Sequence, residues 1–155
     1  YHWDTVTKED QITALHRQLQ LAKKYDLPIS IHMRDATKDC MDILAQYAPL
    51  KGIMHCFSGS VETAKEAVKL GLLISFAGPL TFKNARQSVE VAQTIDVNKL
   101  LVETDCPYLT PHPYRGKENE PMYVQYTFDK LSEVKGIDKE ILAKQLEENL
   151  MTLWK

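Results

Sequence analysis

The sequence is short of several things at once, and each shortage excludes something. Cysteine occurs only at positions 40, 56 and 106, an odd number with no C-x-x-C spacing. Neither a disulfide framework nor a zinc ribbon is indicated; reduced, mostly buried thiols in a cytoplasmic protein are expected. No apolar run approaches the roughly 18 residues that a membrane span requires, so no membrane partner is expected. The opening Tyr1-His2-Trp3-Asp4 has neither the basic start nor the apolar stretch of a signal peptide, and no initiator Met. It reads as the start of a piece of a longer chain. Charge of one sign is also missing: 19 Lys and Arg stand against 21 Asp and Glu, a formal net charge of -2. That excludes a protein that coats nucleic acid through bulk positive charge, while leaving room for a few local phosphate contacts.

What is present fits a single globular domain over residues 1–155, with 44% hydrophobic and 26% charged residues. No repeat, low-complexity tract or linker interrupts it. Helical and strand patterns alternate. Thr7 is placed to cap a helix from about Lys8 to Tyr25, with Ile12, Leu15, Leu19 and Ala22 on one stripe. Leu27-Pro28 ends it, and Ile29 to His32 reads as a strand. A helix from about Thr37 to Tyr47 is followed by a strand from Gly52 to Phe57. Ser60 caps a third helix that stops at Gly71, and Leu72 to Ala77 is the next strand. A helix around Gln87 to Thr94 leads to the strand Leu100 to Thr104. Residues 105–121 then form a long segment with prolines at 107, 111, 113 and 121, a stretch of the kind that serves a site. Two helices close the chain, the last capped by Asp138 and stapled by Ile137 and Leu142. Four strands separated by helices call for a parallel sheet, either open or part of a barrel. A full barrel takes about 250 residues and eight strands, so this chain supplies about half of one.

His32, His55 and Asp105 fall at the ends of three of these strands. In β/α-barrels the C-terminal strand ends and their loops build the active site. Singly, each residue is more often structural: a hydrogen-bonded His or a capping Asp. Three at the same end of near-successive strands point to a metal site. Alternation along a strand places Ile53 on the side of His55, and Glu103 on the side of Asp105, while Met54, Cys56 and Cys106 face the surrounding helices as packing. Arg34, two residues beyond His32, falls on the same side, and its planar fork suits phosphate oxygens. Lys83, Arg86, Arg115 and Lys117 flank the same loops and read as solvated surface. Tyr108 and Tyr114 read equally as base-stacking or packing residues.

Four segments carry a resemblance. Pro28-Ile29-Ser30-Ile31-His32-Met33-Arg34-Asp35-Ala36 resembles the P-x-x-I-H-x-R-x-A segment of TatD-type deoxyribonucleases. Gly52 to Ser60 is similar to their H-C-F-S-G segment, Leu101 to Leu109 to E-T-D-x-P-Y-L, and Arg115 to Pro121 to the loop that follows. Order and spacing agree from Tyr1 onward. The resemblance implies a partial TIM-type (β/α) barrel of metal-dependent hydrolase type. It further implies His32, His55 and Asp105 as metal ligands, Asp105 as the group that orients or deprotonates the attacking water, and DNA as substrate. Two divalent ions are implied in an intact site, with magnesium, manganese and zinc as candidates. The family's His-x-His strand and a further Glu ligand, just before the position of Tyr1, have no counterpart here. An upstream segment or a companion chain is therefore expected to complete the barrel. The same ligands polarise a carbonyl as readily as a phosphoryl group, so an amide or ester hydrolase, such as a D-aminoacyl-tRNA deacylase, is the alternative. A non-catalytic half-barrel is the third reading.

Overall fold

In the computed structural model, which describes residues 5–154, ten regular elements follow one another along the chain. They are α1 (Lys8–Tyr25), β1 (Ile29–His32), α2 (Thr37–Ala45), β2 (Gly52–His55), α3 (Val61–Lys69), β3 (Leu72–Phe76), α4 (Arg86–Thr94), β4 (Leu100–Val102), α5 (Val124–Lys135) and α6 (Lys139–Met151). The four strands form one parallel sheet in sequential order, β1-β2-β3-β4. This is the α/β arrangement of four parallel strands with flanking helices that the sequence pattern predicts. Tyr1 to Asp4, read above for a leader and for the start of the resemblance, lie outside the described residues.

Local chemistry sets the helix ends. The Thr7 hydroxyl accepts from the Asp10 amide at 3.1 Å and donates to its carboxylate at 2.7 Å, while Lys23 and Lys24 lie in the last turn, where the helix dipole favours cations. Ser60 and Asp138 cap α3 and α6 through their side chains. Gly71 adopts φ 104, and a Cβ there would meet the Leu50 carbonyl oxygen at 2.2 Å; no other residue fits this exit from α3. Asn149, on α6, is 2% exposed and donates to the carbonyls of Val97 and Leu100, both at 2.8 Å. It thereby fixes the last helix to the entrance of β4.

The two faces of the sheet are unequal. Ile31, Met54, Ile74 and Leu100 share a row in the strand register and enter the main core with Leu44, Leu72, Leu80 and Leu131. On the other face, among the described residues, the buried hydrophobic cluster is Leu73, Leu101 and Leu153, with Ile53 against them. Met54 thus faces the helices and Ile53 the opposite side, as alternation predicts. His32 and His55 are paired directly across β1 and β2 at their C-terminal ends.

Candidate metal centre at the strand ends

Three of the strands stop sooner than the sequence pattern suggests: β2 at His55, β3 at Phe76 and β4 at Val102. Beyond those points alternation no longer decides where a side chain goes. Cys56 turns to φ 43 and Asp105 to φ 59, left-handed conformations that cost non-glycine residues energy and concentrate at functional sites. The turns change one of the sequence expectations. Cys106 is exposed instead of packed, because the chain has reversed at Asp105. Arg34 lies just beyond the end of β1 and lines an open apolar groove along that strand together with His32.

Those turns bring imidazole and carboxylates together. The His55 Nε2 lies 2.9 Å from Asp105 Oδ1, and its Nδ1 lies 2.6 Å from Glu103 Oε1. The His32 ring stands beside this pair, its centroid 5.7 Å from that of His55. Among the described residues, His55, Glu103 and Asp105 form a group whose potential ligand atoms all lie within 4.8 Å of one another. His32 flanks that group. Two ligand atoms bound to one cation at about 2.0–2.2 Å, with bond angles between octahedral and tetrahedral, are separated by about 2.8–3.6 Å. The 2.9 Å between His55 Nε2 and Asp105 Oδ1 meets that condition. The donor set fits a divalent metal of borderline character.

Glu103 is the residue that the sequence pattern places correctly without assigning it a task. Its Oε1 also accepts from the Cys56 amide at 2.9 Å, and its Oε2 accepts from Ser75 Oγ at 2.6 Å. Ser75 is 1% exposed and the one polar residue in the strand Leu72–Phe76. A lone hydroxyl in a buried strand was the sequence signal that could have found it. Burial, and then the negative charges of Asp105 and Glu103, push the Cys56 thiol up to about 12, so it behaves as a packed thiol.

The segment 105–121 is tied down by its own polar groups. The buried Asn119 donates to the carbonyls of Thr104 and Tyr108 at 2.8 and 2.6 Å, and Thr110 donates to the Lys117 carbonyl at 2.5 Å. Gly78 lets this loop approach, since a Cβ there would lie 1.9 Å from the Leu109 oxygen. Tyr114 is a packing residue, stacked on Tyr123 at 4.7 Å and edge-on to Tyr126. Tyr108 is 71% exposed. Arg115 lies over the Phe82 ring at 3.6 Å, and Lys117 approaches Tyr114 at 5.4 Å. Both are exposed, as are Lys83 and Arg86.

A parallel sheet with two imidazoles and two carboxylates gathered at its C-terminal rim defines the class: an α/β protein of the metal-dependent hydrolase type, built as part of a β/α-barrel. The chain belongs to the TatD related DNase family, whose model matches residues 1–155. It is 47% identical over 157 residues to the uncharacterized metal-dependent hydrolase YabD of Bacillus subtilis, covering 100% of this chain and 62% of that protein. It is 36% identical over 156 residues to the uncharacterized metal-dependent hydrolase YcfH of Escherichia coli, covering 99% and 59%. Among solved structures it is similar to YJJV, a TatD homolog from Escherichia coli, with TM-score 0.88 and 31% identity over 97% of this chain and 60% of that one. A TatD family hydrolase from Entamoeba histolytica shares the fold at TM-score 0.82 and 24% identity, over 97% of this chain and 58% of that one. The chain spans about three-fifths of the length of the curated relatives it matches. Among the described residues, no helix is long and apolar enough to cross a membrane.

Proposed function

We infer that this chain contributes His32, His55 and Asp105 to the metal centre of a hydrolase that cleaves phosphodiester bonds in DNA. The observation that carries the reading is the 2.9 Å approach of His55 Nε2 to Asp105 Oδ1, with His32 paired to His55 across the strands. When bound, one or two divalent ions supply Lewis-acid stabilisation and lower the pKa of water. The chain's own groups do the rest. His32 and His55 offer ring nitrogens at the rim, and Asp105 accepts the proton of the attacking water. Arg34, exposed in the groove beside His32, offers a charge-assisted contact to a phosphate oxygen worth about 1.5–3 kcal/mol. The remaining ligands belong to segments that the longer relatives contain, and an upstream segment or companion chain would bring them to this rim.

The reading is tested by turnover of a DNA oligonucleotide and of an aminoacyl ester, each with Mg, Mn or Zn, by a longer form and by this chain. DNA cleavage that falls at least about a hundredfold in Asp105→Asn supports it. Ester turnover without DNA cleavage would move the substrate class to the deacylase alternative. The 155-residue chain alone is expected to turn over poorly and to bind metal more weakly than the longer form; full activity of the purified chain would contradict that.

A further inference from the structure

We propose that Glu103 is the positioning residue of the metal centre: held by Ser75 and the Cys56 amide, it accepts a hydrogen bond from His55 Nδ1 and so presents Nε2 to the cation. The inference rests on the metal reading above and assigns a task to a carboxylate that would otherwise be counted as a ligand. Two carboxylates flank the same imidazole, one on each ring nitrogen, at 2.6 and 2.9 Å. One ring nitrogen has to be left to the cation, so the two sides cannot play the same part.

The surroundings of the two carboxylates separate them. Glu103 has three donors from two segments: His55 Nδ1 and the Cys56 amide at the exit of β2, and Ser75 Oγ from β3. Three of its roughly four lone-pair sites are thus engaged, and a cation would have to displace them. Asp105 stands on the opposite ring edge, on a reversed backbone at the rim. The side chain of Glu103 is 18% exposed, against 27% for Asp105. A ligating histidine whose far nitrogen donates to a carboxylate has its tautomer and ring plane fixed by that bond. Ser75 then acts through Glu103, one bond further back. β2, β3 and the exit of β4 are joined at one point, which holds the His55 ring against Asp105.

The test uses the 155-residue chain with 15N-labelled histidine. Long-range 1H–15N correlation at neutral pH reads the His55 tautomer, and calorimetric titration with Zn2+ alone reads affinity. The expected result is an Nδ1–H tautomer for His55 in the wild type. In Glu103→Gln, Zn2+ affinity should fall tenfold to a hundredfold and the His55 nitrogen signals should redistribute. Ser75→Ala keeps the carboxylate and should lose less, about threefold to tenfold, so it serves as the arm if Glu103→Gln folds poorly. Unchanged Zn2+ affinity in folded Glu103→Gln, or an Nε2–H tautomer in the wild type, would overturn the proposal. So would a Glu103 side-chain carbonyl 13C signal that shifts on Zn2+ addition as far as that of Asp105, because that marks a ligand. A wild-type chain that binds no Zn2+ would sink the metal reading, and the tautomer alone would then decide the role of Glu103.

Discussion

β1 and β3 are made of similar residues, Ile-Ser-Ile-His against Leu-Leu-Ile-Ser-Phe, yet every residue of β3 is buried and only Ile31 of β1 is. The difference is one of position. β3 lies between β2 and β4, with α3 packed against it and Leu101 and Leu153 near its other face. β1 is an edge of the described sheet, and α1, which leads into it, buries only Leu19 among its 18 residues. Leu21, Tyr25 and Leu27 are left exposed beside an apolar groove of about 810 Å3. The site sits on the boundary between these regions. Glu103 and Ser75, on the buried side, are fully held by hydrogen bonds, whereas His32 and Arg34, on the open side, are exposed. Ligand orientation is thus supplied by the buried half and access by the open one.

The comparison is broken most severely in the core. Phe76→Ala, at 1% exposure, should cost about 3–5 kcal/mol, whereas Tyr25→Ala, at 59% exposure on α1, should stay within about 0.5 kcal/mol. Urea unfolding of the two variants measures both, and comparable losses would show that the α1 edge is as tightly packed as β3. Gly78→Ala comes next. Its Cβ would meet the Leu109 oxygen at 1.9 Å, so the loop 105–121 must shift, at about 1–3 kcal/mol. Faster hydrogen exchange at the Asn119 amide, with exchange in α1 unchanged, is the expected signature.

How much of this was legible beforehand follows the same boundary. The alternation of strands and helices, the caps at Thr7, Ser60 and Asp138, and the opposite sides of Ile53 and Met54 could all be read, because each is set within a few residues. The meeting of His55 with Asp105 spans fifty positions and was read from their common place at strand ends together with the matched motifs. Cys106 was misplaced because a period-two rule was carried past the end of β4, where Asp105 turns left-handed. Ser75 and Glu103 went unassigned because a hydrogen bond between neighbouring strand ends appears only once the register is known.

Smaller effects sharpen the picture. Thr7→Ala should remove about 1 kcal/mol by leaving the Asp10 amide uncapped, a loss that a thermal melt resolves. Thiol chemistry should discriminate without any change in stability. Cys106 is exposed, while Cys40 is buried and its thiol is pushed up by that burial. Iodoacetamide should therefore label Cys106 first and Cys40 only on unfolding, and mass spectrometry after brief exposure checks the order. Equal labelling of the two in the native state would contradict the burial of α2 against the sheet.

The account turns on the rim of the sheet, and a crystal of this chain grown with Zn2+ or Mn2+ tests it most directly through the anomalous signal of the metal. The expected result is a peak within about 2.0–2.2 Å of both His55 Nε2 and Asp105 Oδ1, on the side of the ring that faces His32 and with Glu103 still bonded to Nδ1. A peak elsewhere, or well-ordered His55 and Asp105 side chains with no peak at saturating metal, would contradict it.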